Sequence, residues 1–225
     1  KRGHTVKQVA EATKLLKMAG FKVMYHLMPN LPGSTPAKDL KMFKEIFSKP
    51  DFQPDLLKIY PCVVTKDAPL YRFFKQHKYK PYSEKQLKNL LIKIKQTVPY
   101  YVRITRLIRD IPAESIVAGN KITNLRQIIQ NETQNTSKAC KCIRCREAGH
   151  NLGIRNQKSG IRKNNGYIIP NSCFLIHQYQ ASEGTEYFLS IESKDRKVLY
   201  AFLRLRINDD ISNNFIPELK SAALI

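Results

Sequence analysis

The pattern of apolar and polar positions changes character once along the chain. In the first half, stretches with helical spacing alternate with short runs of β-branched and aromatic residues. Val6, Val9, Ala10, Leu16 and Ala19 fall at helical spacing. Thr5-Val-Lys-Gln8 before them has the form of a capping box, and Gly20 supplies a stop. FKVMYHLMP (21–29) reads as a strand closed by Pro29. The loop NLPGSTP (30–36) follows. There Ser34 or Thr35 can cap a helix, Pro36 suits its first position, and Leu40, Phe43, Ile46 and Phe47 form its apolar stripe. LLKIYPCVV (56–64) is a second strand. Residues 65–82 are irregular and aromatic, with Tyr71, Phe73, Phe74, Tyr79 and Tyr82. Ser83-Glu-Lys-Gln86 opens another helix, with Leu87, Leu90, Leu91 and Ile94 inward, and YYVRITRLI (100–108) is a third strand.

Strands separated by helices of this length predict right-handed βαβ units and a parallel sheet. Three strands are too few to close a barrel, so they suit one end of a (β/α) barrel whose earlier units lie upstream of Lys1. After Ile111-Pro112 the texture changes. A short helix is predicted around Asn124–Gln130, and NETQNTSK (131–138) is polar and loop-like. NLGIRNQKSGIRKNNG (151–166) is a basic loop or an arm that orders on binding. From Tyr167 the sequence turns to strands: IIPNSCFLIHQYQA, EYFLSIES and KVLYAFLRLRI, with Lys194-Asp195-Arg196 as a turn between the last two. This half reads as antiparallel. The terminal SAALI reads as an element cut short. The start lacks both Met and a signal-peptide core, so a fragment is expected.

Charge narrows the partner. Lys and Arg total 39 against 18 Asp and Glu, a net +21 over 225 residues. That excess points to a polyanion, and nucleic acid is the usual soluble one. No run of eighteen apolar residues exists, so no membrane span is predicted. A cytoplasmic location is expected, because five cysteines without secretion indicate thiols or metal rather than disulfides.

Three of those cysteines crowd into ACKCIRCREAGH (139–150), with Cys140, Cys142 and Cys145 inside six positions. Such spacing offers several thiolates to one zinc ion at little loop-closure cost. A closed site needs a fourth ligand, for which His150 and Cys173 are the candidates, with His177 a weaker third. Reduced cysteines without metal, a redox pair and an iron–sulfur cluster are the other readings. Lys141, Arg144 and Arg146 would offset thiolate charge or face a phosphate. In parallel barrels the chemistry sits at the C-terminal strand ends. Here those ends carry Met28-Pro29-Asn30, Tyr60-Pro61-Cys62 and Arg106 to Arg109. Lys58 and Tyr60 share one face of the second strand. His26 is either an acid–base group or a satisfied core residue.

Several stretches resemble one family: MPNLPGST, PDLLKIYPCVV, YVRITRLIRDIPAESIVAG and CKCIRCREAGH are similar to the catalytic subunits of Elongator, in archaeal or bacterial form. The resemblance covers nearly the whole chain. It implies an α/β protein: the C-terminal part of a radical S-adenosylmethionine barrel (1–112), a linker with a cysteine-rich structural zinc site (113–165), and the first antiparallel strands of a GNAT acetyltransferase domain (166–225). It implies an enzyme that uses acetyl-CoA and S-adenosylmethionine radical chemistry to carboxymethylate the wobble uridine in the tRNA anticodon. The partner is tRNA, with no membrane. Eukaryotic relatives form a multi-subunit complex, and this chain would be a monomer or homodimer. By position, Met28, Asn30 and Pro32 resemble the S-adenosylmethionine-facing rim. Lys58, Tyr60, Arg106 and Arg109, with Lys141, Arg144 and Arg146, resemble the tRNA-facing surface. The family's three-cysteine motif for its [4Fe-4S] cluster and its acetyl-CoA loop are absent from these 225 residues, so the chain alone is expected to be inactive. A non-catalytic zinc-stabilised RNA-binding module and a protein lysine acetyltransferase are the competing readings.

Overall fold

A computed structural model describes residues 3–151, 172–210, 212 and 214–225. The basic loop predicted over 151–166, the strand start at 167–171 and the boundary at 165 lie almost wholly outside the described residues. In chain order the helices are α1 (Val6–Met18), α2 (Pro36–Ser48), α3 (Leu70–Lys75), α4 (Glu84–Thr97), α5 (Leu125–Thr133), α6 (Ile143–Arg146) and α7 (Ala148–Asn151). The strands are β1 (Met24–Leu27), β2 (Leu56–Ile59), β3 (Val64–Thr65), β4 (Arg103–Arg106), β5 (Ile116–Ala118), β6 (Ser172–Gln180), β7 (Gly184–Ser193), β8 (Leu199–Asn208) and β9 (Ala223–Leu224).

The chain divides into two compact units. One comprises Met24–Lys49 and Pro54–Cys142. It contains the predicted parallel sheet, in the order β1-β2-β4, with His26 level with Lys58 and Lys58 level with Arg106. The strands are shorter than the apolar runs. β2 stops at Ile59 because Pro61 has no N–H for the ladder. The two segments stay together three residues past Ile59, through Tyr60 N–H to the Leu27 carbonyl (2.8 Å) and Cys62 N–H to the Pro29 carbonyl (2.9 Å). Val64, expected in the same strand, instead pairs with β5 in a separate two-stranded sheet. Phe43, Leu57, Ile59, Leu91, Ile94 and Ile104 are fully buried. The capping boxes and caps form as their residues dictate: Thr35 and Ser83 accept from the N3 amides of α2 and α4.

The second unit comprises Lys1–Val23, Pro50–Gln53 and Ile143–Ile225. Its sheet is antiparallel in the order β6-β7-β8-β9, and the terminal SAALI supplies β9. α1 belongs here by its contacts, capped by Thr5 and Gln8 as predicted. Its apolar stripe, however, is not what it buries: Val6 is 72% exposed, whereas Thr13 and Lys17 are buried. The reason is the chemistry of its partner. Lys17 Nζ reaches Glu186 Oε1 on β7 at 3.1 Å, and an ion pair out of water has to stay paired. Glu186 also meets Arg206 Nη1 at 3.1 Å, and Arg206 donates to the carbonyls of Ala181 (2.7 Å) and Ser182 (2.9 Å) and to Asn208 Oδ1 (2.7 Å). Gly184 is the room for that guanidinium: a Cβ there would sit 2.5 Å from Arg206 Nη2.

Candidate functional site

The loop between β1 and α2 is built around one residue. Asn30 has φ of 69°, a left-handed conformation that asparagine tolerates better than most. Its four polar groups are all engaged. The N–H donates to Asp39 Oδ2 (2.8 Å), Nδ2 to the Cys62 carbonyl (3.3 Å), Oδ1 accepts from Tyr82 N–H (3.2 Å), and its carbonyl accepts from the Tyr79 hydroxyl (2.7 Å). Asp39, in the first turn of α2, also accepts from Ser34 Oγ (2.5 Å) and Tyr82 Oη (2.9 Å). Burial, with Cys62 nearby, raises the Tyr79 phenol far above its ordinary value. Burial and the Asp39 carboxylate push Tyr82 up to about 12. Both phenols therefore remain donors at neutral pH. The specific sequence MPNLPGST is thus a lock joining three chain segments, and Asn30 and Asp39 work inside the protein.

Above that lock lies a cavity of about 190 Å³ at the C-terminal ends of the parallel strands. Met28 follows β1, Tyr60, Pro61 and Cys62 follow β2, and Ile108 and Arg109 follow β4. Met28, placed by resemblance on the cofactor-facing rim, and Tyr60 and Arg109, placed on the tRNA-facing surface, line this one cavity, and His26 packs edge-on to Tyr60 with ring centroids 5.9 Å apart. Burial pushes the Cys62 thiol up, which keeps it neutral. Asn30, Pro32, Lys58 and Arg106 are not among the lining residues: Pro32 is an exposed turn residue, Lys58 is half-buried, and Arg106 is exposed with Nη1 2.6 Å from Asp110. Several lining residues carry no local signal, among them Val63, Thr65, Ile116 and Asn120. Asn120 is 6% exposed and donates Nδ2 to the Ile122 carbonyl (2.9 Å). Its Oδ1 is buried with no hydrogen-bond partner among the described residues. A buried acceptor in that state is costly, so a ligand N–H or O–H is the natural complement. No sequence signal marks it, since an asparagine after glycine reads as a turn.

Cys140, Cys142 and Cys145 gather on one turn, their sulfurs all within 4.8 Å of one another. A tetrahedral zinc with bonds near 2.3 Å needs sulfurs about 3.8 Å apart, so small side-chain shifts suffice. These soft thiols, Cys142 buried and the other two half-buried, fit zinc better than a hard cation. His150 lies in α7, and its side chain lies outside the described residues. Cys173 Sγ hydrogen-bonds to the carbonyls of Glu192 (3.6 Å) and Ser193 (3.8 Å). Lys141 is exposed, with Nζ 5.4 Å from the centre of the Tyr100 ring, and Arg144 is half-buried. Arg146 differs from the expectation of a phosphate ligand. It is 3% exposed and meets Glu192 Oε2 at 2.8 Å, because the buried Glu192 carboxylate requires a cation.

Residues 54–135 match the Radical_SAM C-terminal domain family. The chain is 47% identical to the tRNA uridine(34) acetyltransferase of Methanocaldococcus jannaschii over 206 residues, 92% of this chain and 37% of that protein. It is 37% identical to Elongator complex protein 3 of Saccharomyces cerevisiae over 206 residues, 91% of this chain and 35% of that one. Among solved structures it is similar to archaeal Methanocaldococcus infernus Elp3 with residues 1–46 deleted, at a TM-score of 0.80 and 42% identity, covering 93% of this chain and 50% of that one. The resemblance drawn from the motifs therefore holds over nearly the whole chain. The chain spans little more than a third of the length of the curated relatives it matches.

Proposed function

We propose, from this resemblance to Elongator catalytic subunits, that the chain is part of a tRNA-modifying transferase acting on the wobble uridine. Residues up to 112 are the last part of a radical S-adenosylmethionine barrel, 113–165 a zinc-bearing linker, and 166–225 the first strands of a GNAT domain. The observation that carries the reading is the cavity at the ends of β1, β2 and β4, lined by Met28, Tyr60, Arg109 and Asn120. Parallel α/β folds place their ligands there. S-adenosylmethionine and a [4Fe-4S] cluster would supply the radical, and acetyl-CoA the two-carbon unit that becomes the carboxymethyl group. The cluster cysteines and the acetyl-CoA loop are absent from these 225 residues. What these residues would do is bind and orient. Arg109, exposed at the cavity, offers charge to a phosphate or carboxylate. Asn120 Oδ1 would accept one hydrogen bond from a ligand, and Met28 and Tyr60 would supply apolar wall. Cys140, Cys142 and Cys145 would hold zinc as a structural ion. The setting is cytoplasmic; among the described residues no helix is long and apolar enough to cross a membrane.

The test uses the full-length protein and tRNA. Binding falls steeply between low and moderate salt, as phosphate contacts release counterions. Arg109→Ala weakens it uniformly and lowers the salt slope by about one. Salt-insensitive or absent tRNA binding refutes the reading. Separately, elemental analysis finds one zinc per chain, lost in Cys142→Ser; a metal-free protein of equal stability refutes the zinc site.

A further inference from the structure

The outward face of the segment between β3 and α4 has no part in the chemistry above, and its surface is unusual. Five cations, Lys66, Arg72, Lys75, Lys78 and Lys80, stand against one carboxylate, Asp67, within fifteen residues. α3 sorts its side chains sharply. Leu70, Tyr71 and Phe74 pack on the buried cluster of Cys62, Val64 and Tyr79. Arg72, Phe73 and Lys75 face outward, and Phe73 is 51% exposed although apolar partners lie one residue to its side. Lys75 Nζ stands 5.6 Å from the centre of the Tyr71 ring. The exit is a tight hook: His77, at φ 57°, donates its N–H to the Phe74 carbonyl (3.0 Å), and Lys78 donates to that of Phe73 (2.9 Å). Two residues on, Tyr79 is tied to Asn30 at the end of β1. The ridge is therefore anchored at both ends, and its outward face is cationic with one bare aromatic ring.

We propose that this ridge is a second RNA-binding surface, on which an unpaired nucleotide stacks against Phe73 while Arg72, Lys75, Lys78 and Lys80 hold the flanking phosphates. Aromatic platforms set among cations are what single-stranded RNA recognition uses. The position fits as well. Thr65 and Ala68 line the cavity, and α3 begins two residues later, so a strand presenting one base to the cavity passes the ridge. An enzyme that reacts on a base must take it out of the stack, and a platform beside the site stabilises the opened neighbour. The inference rests on the RNA reading above and extends it to residues outside the cavity.

The experiment measures binding of the full-length protein to a hairpin RNA with an unpaired loop and to a paired duplex of equal length. A fluorescent adenine analogue in the loop reports stacking. Phe73→Ala weakens hairpin binding roughly tenfold, leaves duplex binding unchanged and restores the analogue's fluorescence, while Phe73→Tyr keeps both. The double variant Lys75→Ala/Lys78→Ala lowers the salt slope by about two. Phe73 is exposed, so unchanged circular dichroism is expected in every variant. If the parent binds RNA and Phe73→Ala binds equally well, the ridge is overturned and the cavity reading stands. If the parent binds neither RNA, the RNA reading itself falls and the ridge with it. Loss of binding to anionic vesicles in these variants, with RNA binding unmoved, also overturns it.

Discussion

In the parallel sheet, Leu57 and Ile59 of β2 and Ile104 of β4 are fully buried, and the helices add Phe43, Leu91 and Ile94. In the antiparallel sheet, the buried positions of β7 and β8 include Glu186, Ser190, Glu192, Arg204 and Arg206. The opposite face of that sheet leaves Phe174 61%, Ile176 58% and Leu203 41% exposed. The buried positions of the parallel sheet are thus apolar, whereas those of β7 and β8 are largely charged and polar, with Phe188 and Leu199 among them. Apolar packing is non-directional and tolerates substitution of similar volume. Buried charge tolerates none of that: Lys17 and Arg206 stay out of water only because each meets the Glu186 carboxylate.

The comparison breaks most sharply at Glu186. Glu186→Ala leaves Lys17 and Arg206 facing each other in a dry site, and a loss of about 3–5 kcal/mol is expected in urea unfolding. The apolar counterpart, Leu91→Ala, costs about 3 kcal/mol through the lost methyl groups and the cavity left behind. If Leu91→Ala proves clearly the costlier of the two, the charged face is better hydrated than its burial implies. A third, smaller effect is pH dependence confined to the antiparallel unit. Burial and the Arg196 and Arg146 charges lower His177 from its ordinary 6.5, with Glu192 opposing. Its contribution is complete above about pH 6.5 and declines as pH falls below that. Burial alone would raise Glu192, but the hydrogen bond and charge of Arg146, with Ser190 and Arg196, outweigh it and hold the carboxyl below its ordinary 4.5. Its contribution is lost only in stronger acid. Stability followed from pH 7.5 downward should therefore fall in two stages, and His177→Gln should remove the first alone. The smallest effect is on the open face: Ile176→Thr should change stability by no more than about 0.5 kcal/mol. A loss several times larger would mean that face is covered in the folded protein.

The main helices and strands were legible in the sequence because local physics sets them, whereas α3, β5 and α6 were not. Caps at Thr5, Thr35 and Ser83 act on their own helices, and Pro29 closes its strand whatever surrounds it, although the break at Pro61 was read as continuous strand. The strand ends also announced Met28, Tyr60 and Arg109 as neighbours, since parallel strands align their C-termini. The thiols of Cys140, Cys142 and Cys145 converge because six residues leave them little else to do. Contacts that cross the chain were not legible. Nothing local predicts that α1 buries Lys17 in place of its apolar stripe, because Glu186 lies 169 positions away. Nothing local separates Arg146, consumed by Glu192, from Arg109, left exposed at a cavity. All the polar groups of Asn30 are engaged within the protein, and Asn120, which no local pattern singles out, carries a buried acceptor. Backbone pattern and charge belong to the sequence by itself. Which charges are spent on each other and which stay free for a partner is decided by tertiary structure, because burial fixes the cost of leaving any one of them unpaired.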